Sequence, residues 1–222
     1  MSDVDIANIQ FDYDLVFAVM FMNGNGHIYS RYGGRTPWNS DSRVSLAGLK
    51  YTMLHVLKAH APALRPTTAP AQPLVARDLP LSNRACIHCH EVWEGLRLRD
   101  RQNGDFDARS LFVYPRPENI GLTLEVDRGN VVAKVTRKSA SERAGLVPGD
   151  QINQIGESAV CSQADVSWAL HNAPDRGKLR VRFTRDGRTR AVTLNLEKYW
   201  KESNLTWRAS MRKEADPPRH GK

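Results

Sequence analysis

From Leu15 to Met22 the chain runs apolar without a break, set off by Asp12 and Asp14 and stopped by Asn23 to Gly26. Such a run predicts a strand buried on both faces. Asn-Gly followed by His27 to Tyr32 reads as a hairpin into a partner strand, ended by Gly33 and Gly34. Asp41 or Ser42 can cap a helix. Leu46, Leu49, Met53, Leu54 and Leu57 then recur at helical spacing and form one apolar face. The unit is strand, turn, strand, helix. One hairpin and one helix do not close a core, so something further must cover the strand. Residues 65–73, rich in Pro and Ala, form a linker. Beyond Pro115, Leu179, Val181 and Phe183 alternate with polar residues, as do Val192, Leu194 and Leu196, with Asp186-Gly187 as the turn between them. The expected division is 1–64, a connecting segment 65–116, a β-rich domain 117–198 and a basic tail 199–222.

Composition narrows the class without naming it. The 222 residues are 41% hydrophobic and 25% charged, with net charge +8, which is ordinary for a globular protein. No apolar run is long enough to cross a membrane. The acidic, mixed residues Met1 to Gln10 do not read as a signal peptide. From Arg176 onward there are 14 Lys or Arg against 5 Asp or Glu. Lys178, Arg180 and Arg182 alternate with core positions of one strand, so they fall on its solvated face. With no recognition helix, zinc finger or aromatic RNA-binding strand beside them, nucleic acid is not the expected partner.

Three resemblances give the fold class: α+β, with a partial thioredoxin-like unit, a Cys/His connecting segment and a PDZ-type β-barrel or sandwich with two helices. Residues 11–60 resemble the C-terminal half of a thioredoxin fold by pattern alone. No cysteine precedes Cys86, and Asp14 stands where that family has a cis-proline. This predicts an inactive remnant, or a chain whose natural N-terminal part lies upstream of Met1.

Residues 117–197 resemble a PDZ domain of bacterial type. Ile120, Gly121, Leu122, Thr123 and Leu124 look like the carboxylate-binding loop running into the groove strand. Ser139 to Asp150, with its Ala-Gly-Leu break and Gly-Asp, looks like the short helix and the turn after it. Ser162 to Asn172 looks like the groove helix. The resemblance implies binding of an extended or C-terminal peptide by strand addition, with the carboxylate in a nest of N–H groups around Ile120, Gly121 and Leu122. It places Gln163, Ser167 and Leu170 toward the groove. For Leu124 and Leu170, plain core packing is an equal alternative.

Cys86-Ile-His-Cys-His90 is a C-x-x-C-H, similar over these five residues to c-type cytochromes. That similarity implies haem c, joined through Cys86 and Cys89, with His90 as axial ligand and Met53, His55, His60, His171 or nothing opposite. A zinc site of Cys86, Cys89 and a histidine, with Cys161 or another histidine as fourth ligand, stays open. So does a thiol–disulfide pair with its own redox partner, and so does an inert pair. The function read from sequence is a PDZ peptide-binding protein outside the cytoplasm, with a haem or redox centre. It is periplasmic if a signal lies upstream and cytoplasmic if Met1 is the true start. The alternatives are a thiol oxidoreductase using the PDZ domain to present substrates, and a non-enzymatic adaptor with structural zinc.

Overall fold

A computed structural model describes residues 2–61, 64, 72–81 and 87–211. Its elements are β1 (Ala18–Met22), β2 (Ile28–Gly33), α1 (Leu46–Ala59), α2 (Cys89–Asn103), β3 (Leu122–Leu124), β4 (Val132–Val135), α3 (Ala140–Arg143), β5 (Gln151–Ile155), β6 (Ser158–Ala159), α4 (Gln163–His171), β7 (Gly177–Arg185) and β8 (Arg188–Leu196). The fold is mixed α and β. Two compact units divide it: the described residues of 1–15, 68–112 and 204–222 form one, and those of 16–67 and 113–203 form the other. No helix among the described residues is long and apolar enough to cross a membrane.

The first unit packs Ile6, Tyr13, Ala76, Leu79, Ile87 and Val92 into a small core along α2. Gly95 sits where α2 meets the 74–81 segment, since a Cβ there would lie 2.8 Å from the Leu79 side chain. A buried charge cluster joins distant parts of the chain. Arg208 Nη1 donates to Asp12 Oδ1 at 2.8 Å and to Asp14 Oδ2 at 3.0 Å. Ser210 donates to Asp14 through both its N–H and its hydroxyl. Burial pulls the Arg208 guanidinium down, but the two carboxylates outweigh it and hold it above its ordinary value.

In the second unit, β6-β5-β7-β8 form one antiparallel sheet and β3-β4 a separate pair. The predicted alternation holds: Leu179, Val181, Phe183, Leu194 and Leu196 are buried together with Ile152, Ile155, Val166 and Leu170. Lys178, Arg180 and Arg182 are exposed. Trp200 packs against this core and donates from Nε1 to the Pro174 carbonyl.

The hairpin and α1 differ from expectation in how they are buried. The strand spans only Ala18–Met22, and Val16, Phe17 and Met22 are exposed, because a two-stranded ribbon leaves faces uncovered. In α1 the predicted apolar face points outward, with Leu46 83% and Leu57 68% exposed. The opposite stripe, Gly48, Tyr51, Thr52 and His55, packs inward. A Cβ on Gly48 would lie 2.5 Å from the Val126 carbonyl oxygen, and the Tyr51 hydroxyl donates to Asn130 Oδ1 at 2.9 Å. Close backbone approach and a half-buried hydrogen bond set the helix's orientation, over the pull of its leucines. Ser45, rather than Asp41 or Ser42, caps α1 by accepting from the Gly48 N–H.

The element that covers β2 is α4. Asp165, in the first turn of α4, accepts from the Ser30 hydroxyl at 2.7 Å, the Arg31 N–H at 2.8 Å and the Cys161 N–H at 3.1 Å. Ser162 caps α4 by accepting from the Asp165 N–H, and its hydroxyl donates to the Arg31 carbonyl. The Arg31 guanidinium lies 3.9 Å over the Trp168 ring. Burial pushes the Asp165 carboxyl upward, against the pull of these donors.

Two outcomes follow. Replacing Arg208 by Ala leaves two buried carboxylates without their cation, so it should cost about 3–5 kcal/mol in urea unfolding of the first unit; a cost within about 1 kcal/mol would contradict the buried network. Burial, helped by Asp165, pushes the Cys161 thiol up to about 12. Since the thiolate is the reactive form, iodoacetamide at about pH 8 should label native Cys161 at least about 100-fold more slowly than Cys161 of the unfolded chain; mass spectrometry of tryptic fragments reads this.

Candidate functional site

The groove begins at a 3₁₀ turn, Pro117–Ile120, stopped by Gly121 at φ +88°. Glycine is needed there twice over: the conformation is left-handed, and a Cβ would lie 2.1 Å from the Ser139 Cβ. The Gly121 N–H donates to the Glu118 carbonyl at 3.0 Å, so within the expected nest this donor already serves the turn.

Chain direction then fixes which edge of β3 is open. Gly121 accepts from the Thr136 N–H, Thr123 pairs with Lys134, and the Glu125 N–H donates to Val131. Positions 121, 123 and 125 therefore face β4. In an antiparallel ladder the intervening residues turn their polar groups the other way, so the backbone of Leu122 and Leu124 faces the edge away from β4. Arg43, which bonds the Leu124 carbonyl on that edge, has its Cβ beside Gly34, and Gly34 also approaches Gln163 of α4.

The predicted site residues separate by role. The side chains of Ile120, Leu122, Leu124 and Leu170 are at most 2% exposed and belong to the core. Toward a ligand, β3 offers backbone. Thr123 and Ser167 are half-buried and Gln163 is buried. Gln163, Ser167 and Leu170 lie on one face of α4, about half a turn from the Asp165 and Trp168 face that receives β2. Gln163 Nε2 is buried and has no hydrogen-bond partner among the described residues.

Sequence reading missed what lies across this groove. After β2 the chain passes Gln163, where a Cβ on Gly34 would lie 3.6 Å from Gln163 Oε1 and 3.0 Å from the Arg43 Cβ. Arg43 Nη1 donates to the Leu124 carbonyl at 3.3 Å, and Nη2 donates to Glu118 Oε1. Local pattern carries no signal of this, because the partners are 81 and 75 residues away.

The cysteine–histidine segment lies in the first unit. Cys86 falls outside the described residues. Cys89 opens α2 and packs, partly buried, against the small core. His90 follows it, with Nδ1 3.4 Å from Glu94 Oε1. Among the described residues no three His, Cys, Asp or Glu side chains converge as a metal site. Cys161 lies in the second unit, at the Asp165 cluster.

Comparison with known proteins gives one stretch of the second unit its family. Residues 118–196 match the PDZ domain. A protein named "Putative zinc metalloprotease" from Staphylococcus aureus (strain N315) is 39% identical over 69 residues, covering 31% of this chain and 16% of that protein. The serine protease Do-like HtrA of Lactococcus lactis subsp. cremoris (strain MG1363) is 32% identical over 77 residues, 35% of this chain and 19% of its own. A solved HtrA-type protease with decapeptide is 26% identical over 29% of this chain and 20% of that one, with a TM-score of 0.28. The chain thus spans less than a fifth of the length of these curated relatives, and the metalloprotease likeness is confined to the PDZ region. Residues 118–196 of this chain form a PDZ domain.

Proposed function

We propose that the chain binds the extended or C-terminal end of a protein partner by adding it as a strand to β3, opposite α4. The observation that carries this reading is the one-sided pairing of β3. The backbone of Leu122 and Leu124 faces an edge on which no strand pairs among the described residues, and Gln163 of α4 lies near that edge, since Gly34 approaches both it and Arg43. Backbone hydrogen bonds supply affinity in such binding, and side-chain pockets supply choice.

Residues 86–90 carry a second proposal. Cys86 and Cys89 would hold a haem through two thioether bonds, with His90 on the iron, and the group would supply one-electron transfer. Two features support it. Cys89 and His90 are adjacent on the first turn of α2. His90 Nδ1 points to Glu94, which leaves Nε2 as the ligating atom. Covalent haem attachment would go with a location outside the cytoplasm. A zinc thiolate site is the alternative for the same residues. The thioredoxin-like likeness of residues 11–60 bears on architecture alone, through the order β1, β2, α1.

Peptides with free C-termini, selected on the chain from a random display library, should lose at least about tenfold in affinity to Ser167→Arg by fluorescence polarisation. Unchanged affinity would refute the groove. Co-expression with haem-maturation machinery should leave a Soret band on the denatured chain, lost in Cys86→Ser/Cys89→Ser. With no such band, one equivalent of zinc by metal analysis would assign the thiolate site instead.

A further inference from the structure

We propose that residues 34–45 are a built-in competitor for the peptide groove, with Arg43 occupying the ladder position that an incoming strand needs. This rests on the strand-addition reading above. The Leu124 carbonyl lies on the one edge of β3 that β4 leaves open, and an added strand must donate an N–H to it. In this structure Arg43 Nη1 makes that bond at 3.3 Å. The same guanidinium reaches Glu118, whose carbonyl holds the Gly121 N–H in the loop turn. Arg43 therefore ties the groove's free edge to the turn that opens it.

The segment is positioned to do this. Its start is fixed by Ser30 and Arg31 on Asp165, at the end of β2. Its end is fixed at Ser45, which caps α1, bonds Asp127 Oδ1 at 2.7 Å, and exchanges hydrogen bonds with the Tyr32 hydroxyl through both its N–H and its carbonyl. Between them, Thr36, Asn39 and Ser42 hold a tight turn of their own. Gly34 lets the two ends of this loop pass closely, since any side chain there would meet Arg43.

The contact is also reversible. The side chains of Arg43 and Glu118 are 15% and 32% exposed, so each returns to water when the pair parts. Asp165 has no such route, being 2% exposed and held by three donors. The groove opens by a swing of the Arg43 side chain while the β2–α4 contact stays intact. A peptide N–H then replaces the guanidinium N–H on the Leu124 carbonyl. Apparent affinity is then the open groove's affinity multiplied by the fraction of molecules in which Arg43 has left.

The test uses the 222-residue chain, Arg43→Ala and Glu118→Gln, titrated by fluorescence polarisation with free-carboxyl heptapeptides selected on Arg43→Ala. Arg43→Ala should bind about tenfold more tightly than the parent chain, as for a groove closed about nine-tenths of the time. Glu118→Gln, which frees Arg43 of its partner, should fall between. Raising salt from about 50 to about 500 mM should narrow the gap, because the ion pair is screened. Equal affinities of parent and both variants would overturn the competitor while leaving strand addition standing. Failure to select any peptide on Arg43→Ala, with its near-UV circular dichroism unchanged, would overturn the groove reading and the competitor with it. If Arg43→Ala misfolds, the selection and comparison run on Glu118→Gln, whose partly exposed side chain is tolerant of change.

Discussion

Asp165 is the constraint on which the second unit turns. It places a carboxylate at the start of α4, deep in the protein, and two chain segments far apart in sequence answer it. The Arg31 N–H comes from 134 residues upstream and the Cys161 N–H from the adjacent turn. Hydrogen bonds to a charged group each contribute about 1.5–3 kcal/mol, and a buried carboxylate stripped of them costs more. With β2 held to one face of α4, Gly34 must pass the groove end of the helix, and Arg43 must arrive at β3. The placement of Arg43 at β3 thus goes together with a buried aspartate on the far side of a helix.

The same preference for polar and steric fit over apolar stripe recurs in α1. Its two faces lie about half a turn apart: leucines on one, Gly48, Tyr51, Thr52 and His55 on the other. The leucine spacing, taken alone, turns that face toward a core. The helix instead approaches the 125–130 loop closely enough that Gly48 admits no Cβ, and Tyr51 joins Asn130, which itself donates to the Ile152 carbonyl. Burying the leucine stripe would give up that backbone approach.

What could be read from the chain alone follows from the range of the interactions. The PDZ region was legible because its signals are local: Gly121 at a left-handed stop, Ser139 and Ser162 as caps, and strict alternation along β7 and β8. The strand–turn–strand–helix order was legible for the same reason. The inward face of α1, its cap at Ser45 and the cover over β2 were not, because each is tied to a partner more than 70 residues away. Within the site, the spacing of Gln163, Ser167 and Leu170 marked one helix face. Spacing did not reveal that Leu122, Leu124 and Leu170 have side chains committed to the core, so that β3 meets a ligand through its backbone.

An unpaired strand edge poses a problem that this arrangement answers. The edge that accepts a peptide also accepts any other exposed strand, and proteins blunt such edges with charge or cover. Here a single cation does it from outside the strand. Because Arg43 bonds a carbonyl, it blocks one rung and leaves the strand's geometry intact. Because it is charged and near water, it is removed without leaving a polar group stranded. A hydrophobic plug would have buried more area but would have had to expose it to open. An arginine held between a backbone carbonyl and a glutamate covers the edge while remaining exchangeable for the N–H of a true ligand.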